Sequence, residues 1–204
     1  MRNIDQSGQV SVLVLLDLRS AFDTVDHNIL LDALQKRFGV KGSALDWYRS
    51  YLCDRTQTFQ VRSDKSTTFV VDCSVRQGSV LGPLKFVVYT EDLPAVIEQH
   101  HVDHDLYADE TQLSDHPSIS SVAESIANIE NCVSDVNKRC ASKRLQLNPT
   151  KSEIIWFGTI TSLRRLQGLY LGLHVGNNII KPVDVVRDLG VLLVLQVDND
   201  KTHQ

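Results

Sequence analysis

The run Val10-Ser11-Val12-Leu13-Val14-Leu15-Leu16 stops abruptly at Asp17. An apolar, β-branched stretch this short predicts a strand buried on both faces, which only the interior of a sheet provides. The carboxylate at its end then sits against the core, a costly place unless it is paired, solvated or bound to a cation. The pattern occurs twice: Leu106-Tyr107-Ala108 runs into Asp109-Glu110. Two strand-end acids brought together on adjacent strands make a site for hard divalent cations. Two such ions about 3.5–4 Å apart hold the attacking and leaving oxygens of a phosphoryl displacement. The pattern alone leaves open that these acids are ordinary solvated turn residues.

Between and beyond the acids the chain alternates helix and strand signals. Asp26 predicts an N-cap for a helix carrying Ile29, Leu30, Leu34 and Phe38 and stopped at Gly39. A second helix is expected over Gly42 to Leu52. Thr56 to Arg62 and Thr67 to Cys73 read as a hairpin turning at Ser63 to Ser66. The loop Gln77-Gly78-Ser79-Val80-Leu81-Gly82-Pro83 leads into an apolar helix from Leu84 to Gln99, and Val102 to Leu113 reads as a hairpin turning near Asp109. Ile119, Val122, Ile126, Ile129, Val133, Val136 and Cys140 form one stripe of a helix over Ser118 to Ser142. Ser152 to Gly158 predicts a strand, and two or three more are expected beyond Gly168. This order implies an α+β fold, with helices packed on one face of a mainly antiparallel sheet. The polar stretch from Gly158 to Gly168 suggests a division into residues 1–160 and 161–204.

Composition is that of an ordinary globular chain: 204 residues, 42% hydrophobic and 23% charged. The net charge of −4 argues against strong phosphate binding by the chain as a whole. The four cysteines are too widely spaced for a zinc ribbon or redox pair and are expected to be reduced and mostly buried. His100, His101 and His104 lack the cysteine partners of a zinc knuckle, and Trp47 and Trp156 are expected to make core or subdomain contacts rather than serve as base-stacking platforms. The start has no signal-peptide pattern, and no apolar run is long enough to span a bilayer, so an intracellular protein is expected.

Five segments, taken in order, resemble the reverse transcriptases of non-LTR (LINE-type) retrotransposons. Leu16-Asp17-Leu18-Arg19-Ser20-Ala21-Phe22-Asp23 is similar to the family's first palm motif, and Arg76-Gln77-Gly78-Ser79-Val80-Leu81-Gly82-Pro83 to the second. Tyr107-Ala108-Asp109-Glu110 resembles the metal-binding hairpin, usually Tyr-Ala-Asp-Asp. Arg144-Leu145-Gln146-Leu147-Asn148-Pro149-Thr150-Lys151-Ser152-Glu153 and Val186-Arg187-Asp188-Leu189-Gly190-Val191 resemble the two elements that follow.

The resemblance implies a polymerase palm with partial fingers, and a connection toward the thumb over 161–204. It implies an RNA-directed DNA polymerase that uses two Mg²⁺ ions, or Mn²⁺, with an RNA template, a DNA primer and deoxynucleoside triphosphates as partners. It places Asp17, Asp109 and Glu110 at the metals and Lys151 near the triphosphate. Phe22, Arg76, Gln77 and Gly78 fall at the nucleotide, with Phe22 excluding the ribose 2′-hydroxyl. It also implies residence in cytoplasm and nucleus.

Several positions depart from the family pattern. Glu110 stands where a second Asp is usual, Arg76 where Pro is usual, Arg139 where a Trp is expected and Lys143 where an Asn is expected. Arg139 in place of a packing aromatic predicts an exposed or strained helix end. Asp17 follows so soon after the start that the upstream fingers segments and most of the thumb are expected to be missing, as in a truncated and degenerate copy. A catalytically inactive palm remnant or binding module is the alternative reading.

Overall fold

The computed structural model describes residues 9–76 and 78–194. The chain opens with strand β1 (Ser11–Asp17), helices α1 (His27–Lys36) and α2 (Gly42–Leu52), and short strands β2 (Arg55–Gln57), β3 (Gln60–Val61), β4 (Asp64–Lys65) and β5 (Phe69–Val71). Helices α3 (Gly82–Tyr89) and α4 (Leu93–Glu98) lead to β6 (Asp103–Tyr107), β7 (Glu110–Asp115) and α5 (Val122–Ser142). Then come β8 (Glu153–Phe157), α6 (Ile160–Arg165), β9 (Leu173–Val175), β10 (Asn178–Ile180), β11 (Val185–Asp188) and β12 (Val191–Val194).

These elements form two compact units. One comprises Met1–Arg19, Asp92–Arg139 and Gln146–Gln204, and the other Ser20–Glu91 and Cys140–Leu145. The 160/161 division suggested by the sequence falls inside the first unit.

The first unit is built on an antiparallel sheet in the order β6-β7-β1-β8. The strand order puts the apolar run at the centre, as its composition demands. Burial along β1 nevertheless alternates: Val12, Val14 and Leu16 are buried, while Leu13, Leu15 and Asp17 are only half-buried. A continuous apolar run marks a central strand but does not show that both its faces are equally covered. The stripe of α5 is buried from Val122 to Cys140, as its spacing predicts. Beyond β8 the chain forms helix α6 and two hairpins, β9–β10 and β11–β12.

The second unit carries α1, α2, the short hairpins and α3. Asp26 caps α1 with one carboxylate oxygen, which accepts from the amides of Asn28 and Ile29 at 2.8 and 3.0 Å. Its other oxygen lies 3.0 Å from the Arg144 guanidinium. The helix ends at Lys36, so Phe38 falls outside it and is 51% exposed. The expected hairpin turn moves forward, because Asp64–Lys65 pair with Gln60–Val61 and Arg62 takes a positive φ of 56°. The single helix expected over Leu84 to Gln99 is two helices, because Pro94 opens a new first turn in α4 and cannot sit in a helix interior.

Two of the four cysteines, Cys132 and Cys140, are buried, and all four are free thiols. Burial and the neighbouring Asp135 push the Cys132 thiol up to about 11, an inert structural position.

Replacing Asp26 with Ala removes both the cap and the ion pair. It is expected to cost about 1–2 kcal/mol. Asp26→Asn keeps a capping oxygen and should cost less. Urea unfolding curves of the two variants check the order; equal losses would mean the cap contributes nothing.

Candidate active site

The register of β1 on β7 sets the geometry. Val14 lies opposite Leu113, Leu16 opposite Thr111 and Asp17 opposite Glu110. Opposed residues in an antiparallel pair point to the same face. Val12, Val14 and Leu16 therefore share the covered face with Thr111, Leu113, Ile154 and Trp156, all buried. Asp17 and Glu110 share the other face with Leu13, Leu15 and Gln112. Like charges directly opposite on adjacent strands repel, with Cβ atoms about 4.5–5.5 Å apart.

Asp109 sits in the two-residue turn between Tyr107 and Glu110. Ala108, the first turn residue, has a φ of +54°, a conformation that costs a residue with a Cβ about 1–2 kcal/mol. A fourth acid enters from the end of β11, where Gln112 Nε2 donates to Asp188 Oδ1 at 2.6 Å. Burial, then the charges of Asp188, Asp109 and Asp17, push the Glu110 carboxyl above the usual carboxylate range. Its Oε2 is buried without a hydrogen-bond partner.

Asp17 is held by the segment after α5. Asn148 N donates to the Asp17 carbonyl at 2.8 Å, and Asn148 Nδ2 donates to Asp17 Oδ2 at 3.1 Å. Thr150 Oγ1 donates to Asn148 Oδ1 at 2.8 Å, which fixes the amide's orientation. Ser152 Oγ accepts from the Asp17 amide at 3.3 Å. Lys151, expected at a triphosphate, places Nζ 3.8 Å from Asp17 Oδ2 and is largely exposed.

Among the described residues no three His, Cys, Asp or Glu side chains converge on one point as a metal cage. Mg²⁺ seldom needs one, since it takes one or two carboxylates and fills its shell with substrate phosphates and water. The orphaned Glu110 oxygen among three other carboxylates is a place where a cation would remove a burial cost. The donor set fits a hard divalent ion.

The remaining expected site residues lie in the second unit. Phe22 is half-buried and stacks on Phe86, ring centroids 5.0 Å apart. Arg76 is exposed, and Gln77 lies outside the described residues. Gly78 adopts a φ of +76° with open space where a Cβ would project, so here glycine serves the backbone conformation rather than a close approach. The close approach is at Gly82, whose Cβ would meet Arg76 O at 3.2 Å and Ser79 Oγ at 3.1 Å.

Two departures from the family pattern have found partners. Arg139 is exposed, one of the two outcomes expected of this helix end, and it ion-pairs with the buried Asp92. Lys143 is buried and donates to Tyr89 O at 2.7 Å. Sequence reasoning quoted Asn148, Ser152 and Asp188 within motifs without giving them a part in the site. Asp188, like Asp17, is an acid at the end of a strand, although Arg187 breaks the apolar run before it.

The family described as Reverse transcriptase (RNA-dependent DNA polymerase) matches residues 1–175. The chain belongs to this family. Similar proteins include the probable RNA-directed DNA polymerase from transposon BS of Drosophila melanogaster, 32% identical over 144 residues, which are 68% of this chain and 16% of that protein. The RNA-directed DNA polymerase from mobile element jockey of the same species is 32% identical over 52% of this chain and 12% of its own length. A Pol polyprotein from type-1 retrotransposable element R2 of Popillia japonica is 30% identical over 42% of this chain and 14% of its own. The chain is thus a reverse transcriptase domain of the non-LTR retrotransposon type, matching a small fraction of the length of these relatives. Telomerase from Candida albicans, solved with a fragment of telomeric RNA, shares the fold over 92% of this chain and 32% of its own, at a TM-score of 0.58 and 11% identity. The α+β, palm-type architecture expected from the sequence is therefore the observed one.

A carboxyl whose folded pKa is raised stays protonated to higher pH in the folded chain. In this reverse transcriptase domain Glu110 therefore subtracts from stability as pH climbs from the unfolded value, about 4.3, through the folded one. Glu110→Gln should melt above the wild type at pH 8 in a chelator, and the gap should close below about pH 4. A gap independent of pH would contradict the burial and repulsion assigned to this side chain.

Proposed function

We propose that the chain is the palm-bearing part of an RNA-directed DNA polymerase, with Asp17, Asp109 and Glu110 as its metal carboxylates. The observation that carries this reading is the register of β1 on β7, which sets Asp17 opposite Glu110 with Asp109 next to it in the turn. Mg²⁺ or Mn²⁺ bound there would activate a primer 3′-hydroxyl and neutralise charge on the leaving pyrophosphate.

The chain's own residues do the positioning. Asn148 and Ser152 hold the Asp17 backbone and carboxylate, so that group pays little reorganisation on taking up a ligand. Gln112 holds Asp188, whose negative charge bears on Glu110 and raises the cost of ionising it. Lys151 reaches the same carboxylate from the solvent side, a position from which its flexible ammonium can turn to a phosphate. Phe22 is assigned to the sugar of the nucleotide and Arg76, Gln77 and Gly78 to its neighbourhood on the strength of the motifs. An RNA template, a DNA primer and deoxynucleoside triphosphates are the partners this reading requires. No helix among the described residues is long and apolar enough to cross a membrane.

Glu110 favours a second reading, a palm that binds without catalysing. Its extra methylene displaces a carboxylate by about a bond length, where sites tolerate roughly half an ångström.

Primer extension on an RNA template, with Mg²⁺ and deoxynucleotides, tests the first reading. Asp17→Asn should lower extension by about 10²–10³-fold and abolish the Mg²⁺-dependent rise in melting temperature. Extension unchanged in Asp17→Asn would end the assignment. An ion-dependent shift without extension in the wild type would support the second reading.

A further inference from the structure

Helix α2 presents Trp47 to solvent. The residue is 51% exposed, although the sequence suggests an interior one, and the face of the helix that packs inward is carried by Leu45 and Leu52. Trp47 stacks on Tyr51 one turn along, with centroids 5.3 Å apart and planes 20° from parallel. The Tyr48 ring meets it edge-on at 5.2 Å.

Cations gather on the same stack. The Arg55 guanidinium lies 4.7 Å from the Tyr51 ring centroid and is fixed by donating from Nε to the Tyr51 carbonyl at 2.7 Å. Lys85 Nζ lies 3.5 Å from the same centroid. Lys85 is only 1% exposed; burial pushes its amine below the usual lysine range, and Tyr51 partly offsets that. Burial alone would push the Tyr51 phenol up, but the Lys85 charge, hydrogen bonds from Ser79 and Lys85, and the Arg55 charge together bring it below its usual value.

Beside the stack opens a cleft of about 530 Å³ whose lining includes Tyr51, Gln57, the two arginines Arg55 and Arg76, and one acid, Asp23. The unit that holds it has 11 Lys and Arg against 8 Asp and Glu, although the whole chain is acidic. Trp47 packs on Tyr48 and Tyr51 of its own helix and leaves half its surface to solvent. An exposed indole backed by a parallel ring, beside a fixed guanidinium and a cleft carrying two arginines, matches what unpaired bases and their phosphates require.

We infer that Trp47, Tyr51 and Arg55, with the adjoining cleft, form a stacking platform for single-stranded nucleic acid. Its place in strand copying rests on the polymerase reading, but its binding does not. The flat rings accept any base, and Arg55 and Arg76 meet the backbone, so the platform binds without sequence preference. A duplex, with its bases already stacked, is a poor ligand.

The full chain in a chelator, titrated with labelled oligo(U) and oligo(dT) of about ten nucleotides, tests this by fluorescence anisotropy. Trp156 is buried, so quenching of intrinsic fluorescence reports on Trp47. Trp47→Ser should weaken binding about tenfold, while Trp47→Phe, which keeps a ring, should restore it to within about twofold. Arg55→Gln should weaken it a few-fold and flatten its salt dependence. Asp17→Asn should bind like the wild type, so loss of extension with strand binding intact would tell against the polymerase reading alone. Unequal affinity for the two oligonucleotides would show which strand the platform prefers. The inference is overturned if neither oligonucleotide binds, if a duplex competes equally, or if Trp47→Ser and Arg55→Gln both bind like the wild type.

Discussion

Two carboxylates face each other across neighbouring strands, and the candidate site depends on that repulsion. Asp17 and Glu110 are fixed by a ladder whose register is set by the burial of Val12, Val14 and Leu16 on the opposite face. A slip of one residue would turn those three side chains outward. The core therefore forces the acids together, with Asp109 in the adjoining turn and Asp188 delivered by Gln112. Each addition raises the cost of leaving Glu110 charged. A divalent cation at these carboxylates would offset that cost, which is why the proposed function rests on them.

The surroundings of the acids are built with the same economy. The turn at Asn148 follows the long helix α5 and returns the chain to β1, where backbone and amide together fix Asp17. Arg139 and Lys143, at the end of that helix, depart from the family pattern and yet meet an acid and a carbonyl. Divergence at these positions has been absorbed by new pairings. Glu110 and Arg76 are different in kind: Glu110 Oε2 is buried without a hydrogen-bond partner, and Arg76 is exposed.

Much of this was legible in the sequence because short-range physics decided it. The Asp26 cap, the bounds of α2 and the stripe of α5 follow from local spacing, and the structure places them where the pattern does. The ordered motifs gave the family and the palm-type sheet. What could not be read was the partner of each group. The half-open face of β1 depends on what covers the sheet, and the break in the helix after Tyr89 turned on Pro94, whose constraint the apolar pattern masked. Trp47 looked like core by composition, but its position on α2 leaves it outside the buried stripe. Asp188 required long-range contacts to be recognised, although its strand-end position was visible. The acidic balance of the whole chain concealed a basic second unit, because charge was counted over both together.

The most direct test of the acid site is where a paramagnetic ion settles. Mn²⁺ added at substoichiometric amounts to isotope-labelled protein should broaden the amide resonances of Asp17, Asp109, Glu110 and Asp188 first, and excess Mg²⁺ should reverse the effect. Broadening centred on the exposed acids Asp103 and Asp105, or spread evenly over the surface, would contradict the claim that the β1–β7 register builds a cation site.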